Sequence, residues 1–167
     1  NIIIKLKTFI MIRKLLFMIV LLFAVSMTYS QALDEDFESG TWPPTGWTEQ
    51  QLGDAAGWQE STMYAHSPTH SAFHNDDNVS TGCNDWLITP VMNLSSYTTP
   101  VFTYWEYVNY GSYAETHSVF YSTDYSGSGD PTSATWTTIN DVIGTEDTWV
   151  EKGPYTLPTN STVYIAF

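Results

Sequence analysis

The chain has 167 residues, 16% of them aromatic, and its 18 acidic side chains outnumber five basic ones, for a formal net charge of −13. Lys5, Lys7, Arg13 and Lys14 precede residue 33 and every Asp and Glu follows it, so residues 33–167 carry −17 with Lys152 as their lone basic side chain. That balance excludes nucleic acid and anionic membrane surfaces, whose phosphates need Lys and Arg; it favours divalent cations and keeps the protein in solution.

The first start-like residue is Met11, followed by a basic pair, Arg13 and Lys14, and an apolar run over residues 15–25. A small, polar stretch over 26–32 then offers cleavage after Ser30 or Ala32, and the whole reads as a secretory signal peptide within residues 1–32. With Ile2, Ile3 and Ile4 added, the apolar length is borderline for a membrane anchor. The abrupt change to Asp34-Glu35-Asp36 favours a removable signal, so a secreted or cell-surface protein with no membrane insertion after cleavage is expected. Residues 33–167 suit one domain with its own core. Cys83 is the lone cysteine, which leaves no intrachain disulfide to staple it.

Residues 33–38 alternate as a first strand, and residues 39–47 are Gly/Pro turn chemistry carrying Trp42 and Trp47. Residues 48–52 predict a short strand and 53–57 a loop. A turn at 67–71 feeds a strand at 71–74, and 75–78 is a polar loop. The chain is organised around Asn84-Asp85-Trp86-Leu87-Ile88-Thr89-Pro90, a buried strand entered from an acidic turn, with Pro90 limiting the ladder at one point. Residues 101–107 alternate with aromatics on both faces, which predicts a strand inside a sandwich. Strands follow at 116–122, 135–139, 148–153 and 163–167, with a Gly-, Ser- and Asp-rich loop over 124–133. No apolar 3.6 period runs over three turns outside the signal, so the fold is all-β, a β-sandwich or jelly roll. The last residues, Ile165-Ala166-Phe167, fall inside a strand, so a domain incomplete at its C-terminus is expected.

Asp36-Phe37-Glu38-Ser39-Gly40 with Pro44-Thr45-Gly46-Trp47 resembles the opening of the cleaved-adhesin, or choice-of-anchor J, domains of Bacteroidetes secreted proteins. Asp85-Trp86-Leu87-Ile88-Thr89-Pro90 resembles their central motif. Val119 to Asp124, Thr135-Trp136-Thr137 and Val163 to Phe167 follow in the same order, so the resemblance spans residues 34–167. It implies a jelly-roll β-sandwich from the adhesin regions of surface proteins, common calcium binding, and a type IX sorting signal lying beyond Phe167.

Calcium takes several oxygen ligands. Asp34, Asp36 and Glu38 share one face of the expected first strand, an arrangement for either a cation or a solvated acidic edge. The resemblance favours calcium, with Glu38 as first ligand, Asp36 its neighbour if the chain bends, and Asp85 joining if its turn packs alongside. The run Asn75-Asp76-Asp77-Asn78 is a second candidate but also reads as a plain polar turn. His66, His70 and His74 recur every four residues, yet Pro68 argues against a helix, and in a strand they stand roughly 13 Å apart per step, too far for one metal.

No nucleophile elbow or zinc-protease motif is present. Glu106, beside Trp105 and Tyr107, is a lone acid with no obvious partner, whereas glycosidases need two carboxylates across a cleft. Trp86 and Trp136 are expected in the core. Trp42, in its loop, and Tyr110 and Tyr113 around Gly111 are expected to be exposed and suited to sugar stacking or protein contact. The resulting reading is a non-catalytic accessory binding or adhesion module, calcium-stabilised, for an extracellular protein or glycan. The alternatives are a structural spacer without its own ligand and a glycan-active jelly-roll enzyme.

Overall fold

The computed structural model describes residues 30–53, 57–66, 68–75, 84–109 and 117–167. The expected signal peptide up to residue 29, most of the 75–78 loop, Cys83, Tyr110 and Tyr113 lie outside them. The strands are β1 (Thr48–Gln51), β2 (Trp58–Ser61), β3 (Ser71–His74), β4 (Asp85–Ile88), β5 (Val101–Glu106), β6 (Val119–Ser122), β7 (Thr137–Asn140), β8 (Val150–Thr156) and β9 (Tyr164–Ala166). Among the described residues there is no α-helix, only a turn of 3-10 helix at Pro131–Ser133 capped by the Asp130 side chain.

Five strands form one antiparallel sheet in the order β1-β4-β9-β6-β7, while β2 pairs with β3 and β5 with β8. The predicted organising strand, β4, lies between β1 and the central strand β9. Leu87 and Phe167 exchange two backbone hydrogen bonds of 3.0 Å, and Thr89 N donates to Ile165 O at 2.9 Å. Pro90 has no N–H to continue the ladder, which resumes where Met92 and Val163 bond each other.

Alternation along these strands divides the apolar residues between the two faces of the sheet. On one face Val119, Val163 and Ile165 join Met92, Leu94 and Leu157 in a core, against which Phe102 and Tyr104 of β5 pack as a second layer. On the other face Ile88, Ala166 and Tyr125 cluster with Trp86, Trp136 and Tyr164, covered by the 124–136 segment. Trp86 and Trp136, expected in the core, are half-buried and pack against this second cluster. The class expected from the sequence, an all-β sandwich, is the one observed.

Three local expectations are corrected. Residues 33–38 are not a strand, because the Glu35 and Asp36 carboxylates accept from the backbone N–H groups of Phe37 and Glu38, and Phe37 takes a φ of 62°. Such side-chain bonds offer the backbone an alternative to the ladder. Trp58–Ser61 is a strand that its short Trp-Gln-Glu-Ser pattern, with a single apolar residue, did not predict. Strand β5 is buried on one face only: Phe102, Tyr104 and Glu106 point inward, whereas Val101 and Trp105 are 58% and 46% exposed. Its partner β8 carries an extra residue opposite the Phe102–Tyr104 step, at Gly153-Pro154. Gly153 has a φ of 102° there, and a Cβ on it would meet the Phe102 carbonyl oxygen at 2.6 Å.

Candidate functional site

Glu38 projects from the turn after Phe37 and closes the loop that leads into β3. Its Oε1 accepts from the backbone N–H groups of Thr69 (2.8 Å) and His70 (2.6 Å). Its Oε2 accepts from the Thr69 hydroxyl (2.7 Å) and lies 2.8 Å from His70 Nδ1. The Thr69 hydroxyl, with the His70 and backbone donors behind it, holds the Glu38 carboxyl down at about 2, and the same carboxylate raises the His70 pKa. A carboxylate offers about four lone-pair sites, so Glu38 is saturated by protein donors.

Asp85, at the start of β4, has an enclosed side chain. Its Oδ2 lies 2.9 Å from His74 Nε2 and accepts from Gly57 N at 3.3 Å, whereas its Oδ1 is buried with no hydrogen-bond partner among the described residues. Glu49 on β1 lies beside them, Oε1 taking Trp58 N at 2.8 Å and Oε2 the Trp42 indole N–H at 3.3 Å. The turn into β2 needs Gly57: its φ is 63° and a Cβ there would stand 2.9 Å from Glu49 Oε1. Trp42 is therefore half-buried, its indole N–H also directed at the Trp58 carbonyl, and its ring contributes to packing beside Phe37. The exposed position expected for it is corrected.

Among the described residues no three His, Cys, Asp or Glu side chains are grouped to hold a metal ion. Asp36 spends Oδ1 on the Glu38 N–H, and Glu38 is occupied as above. Of the three expected calcium ligands, Asp85 alone carries an orphaned buried oxygen, the feature that fits a cation.

Glu106, expected to stand alone, has three partners. At the inner face of β5 its Oε1 lies 2.7 Å from His117 Nε2, and its Oε2 accepts from Gly144 N at 2.7 Å and pairs with Lys152 Nζ at 3.1 Å. Burial pushes its pKa up, but the hydrogen bonds from His117 and Lys152 outweigh this and leave it lowered. Glu106 is thus fixed by three donors, from positions 11, 38 and 46 residues away, beyond the reach of sequence pattern.

On the opposite, outer face of β5 Trp105 and His66 are exposed, with half-buried rings around them. His66 stacks on Trp105 at 3.9 Å between ring centroids and meets Trp149 edge-on at 5.4 Å. Tyr107 continues the row, 5.5 Å from Trp149 and 5.2 Å from Tyr64, which in turn lies 6.0 Å from Phe73. A groove of about 320 Å³ runs along residues 59–64 to Phe73, with Met63 79% exposed at its rim. The sequence signal for this face was present in the density of Trp and Tyr at 105–107 and 149, but which side of β5 meets solvent depends on the packing of β8.

No protein-family model matches the chain, and no curated protein matches it. Among solved structures, the chain is similar to the K1 cleaved adhesin domain of Lys-gingipain from Porphyromonas gingivalis W83. The TM-score is 0.58 with 21% identity, over 82% of this chain and 87% of that one. The described domain is cleaved-adhesin-like in fold.

Proposed function

We propose that the chain supplies a secreted or cell-surface, non-catalytic adhesion-type module that belongs to a larger protein and binds an extracellular protein or glycan. The observation that carries this reading is the fold shared with a cleaved adhesin domain over most of the chain. The side chains agree with it: Glu38 and Glu106 are held by protein donors, while Trp105 is left exposed on the outer face of β5. Surface plasmon resonance of the chain against immobilised extracellular proteins and oligosaccharides is expected to give saturable binding to at least one. Silence across the set would leave a spacer. Hydrolysis of a polysaccharide that Glu106→Gln abolishes would overturn the non-catalytic reading.

Calcium stabilisation belongs to the same proposal, supported by the acidic composition and by the orphaned oxygen of Asp85. Melting temperature is expected to rise with calcium concentration and fall with EDTA, since a ligand of the folded form stabilises it by mass action. Loss of that response in Asp85→Asn, with its retention in Glu38→Gln, would place the ion at Asp85. The reverse result would return it to Glu38, and no response in the wild type would remove calcium from the proposal.

A further inference from the structure

Three observations about the outer face of β5 converge. First, its rings are built into a continuous surface by three separate segments: Tyr64 and His66 come from the turn after β2, Trp105 and Tyr107 from β5 and its end, and Trp149 from the segment before β8. That last segment is held in place by the Asp147 N–H, which donates to the Val108 carbonyl at 2.8 Å. Trp105 keeps 46% of its surface exposed although His66 covers one side of the ring. A large indole left open on a sheet face is a costly arrangement for a protein with no partner there.

Second, the rim is acidic. Glu151 is exposed directly across the β5–β8 ladder from Trp105, and the exposed Asp147 takes the Tyr107 hydroxyl at 3.1 Å. Third, no Lys or Arg competes. Lys152, the lone Lys or Arg beyond residue 14, turns to the inner side of the ribbon and is spent on Glu106 and the Val142 carbonyl. Aromatic faces attract cations through the ring quadrupole, and carboxylates at the edge supply the charge-assisted hydrogen bonds that a guanidinium or ammonium group requires.

We propose that this acid-rimmed aromatic face, centred on Trp105 and Glu151, is a docking site for a basic protein segment presenting Arg or Lys side chains. The proposal rests on the adhesion-type reading and names the chemistry of the partner. A neutral sugar would stack on the rings and donate its hydroxyls to the carboxylates without using their charge, whereas a cationic side chain answers both the charge and the shape of the face.

The probe is a synthetic Arg-Gly repeat peptide, with a Gln-Gly repeat of equal length as the neutral control, titrated into the full chain by isothermal calorimetry. Saturable binding that weakens with added salt is expected for the Arg peptide and absent for the Gln peptide. Trp105→Ala is expected to weaken it about tenfold and Glu151→Gln about threefold, while Asp34→Asn, an equal loss of charge outside the face, changes it little. Circular dichroism confirms that each variant is folded, and Glu151→Gln carries the test if Trp105→Ala is not. The proposal is overturned if the Arg peptide does not bind, if the Gln peptide binds as well, or if Asp34→Asn costs as much as Glu151→Gln. A protein or glycan captured in the binding screen whose affinity is unchanged in Trp105→Ala, together with no Arg-peptide binding, would sink this site and leave the adhesion reading standing. A blank screen would sink that reading on its own.

Discussion

Glu38 and His70 are joined twice across 32 positions of sequence, once through the His70 backbone N–H at 2.6 Å and once through its ring nitrogen at 2.8 Å. The contribution of this link to stability has a pH window with two edges. The lowered pKa of Glu38 makes its part complete above the ordinary carboxylate value of 4.5 and lost as pH falls towards about 2. The raised pKa of His70 makes its part complete below the ordinary 6.5 and lost as pH rises through the raised value. The difference in melting temperature between wild type and Glu38→Gln is therefore expected to be largest between pH 4.5 and 6.5 and to shrink on either side, as a series of thermal melts across pH would show.

Glu106 and Lys152 form a buried pair, with side chains 5% and 11% exposed. Breaking such a pair from one side leaves a charge without its partner, which costs about 3–5 kcal/mol. Glu106→Gln is expected to lose about that much in urea unfolding, and Lys152→Met added to it to recover a good part, a positive coupling that a double-mutant cycle measures. Gly144→Ala provides an independent probe, because its Cβ would stand 2.6 Å from Glu106 Oε2 and 3.6 Å from Lys152 Cε. It should destabilise the same cluster without removing either charge.

Thr89 is 1% exposed, and its hydroxyl oxygen accepts the Ile165 N–H at 2.9 Å at the step before Pro90 ends the ladder. Thr89→Val keeps the shape but leaves that buried N–H with no acceptor, which costs about 1–3 kcal/mol. Ile165→Ala, which empties space in the main core, should cost about 2–5 kcal/mol. Both are expected to lower the urea midpoint with little change in slope.

The parts of this fold legible in the sequence are those written in short-range pattern. Asp85 to Pro90 announces its own strand and its end, since an apolar run and a proline act within a few residues. The alternation of residues 101–106 fixes two faces of β5 but not which one meets solvent, because β8 and its extra residue at Gly153-Pro154 come about 50 positions later. Residues 33–38 alternate like a strand, yet the carboxylates of Glu35 and Asp36 reach the backbone first. The pairings of His70 with Glu38, His74 with Asp85 and His117 with Glu106 leave no periodic trace at all, for each is made by tertiary folding between loops and strands. Trp42 is the instructive failure among the aromatics: a Gly/Pro loop predicts exposure, but an indole N–H with two acceptors in reach folds inward.

Lys152, set in the middle of β8 with its ammonium group tied to Glu106 and to the Val142 carbonyl, also decides how the domain meets proteolysis. An endopeptidase that cleaves after Lys or Arg finds no other such bond beyond Lys14, and to use this one it must first strip β8 away from β5. Survival among secreted trypsin-like enzymes is thereby tied to the local opening of a single ribbon.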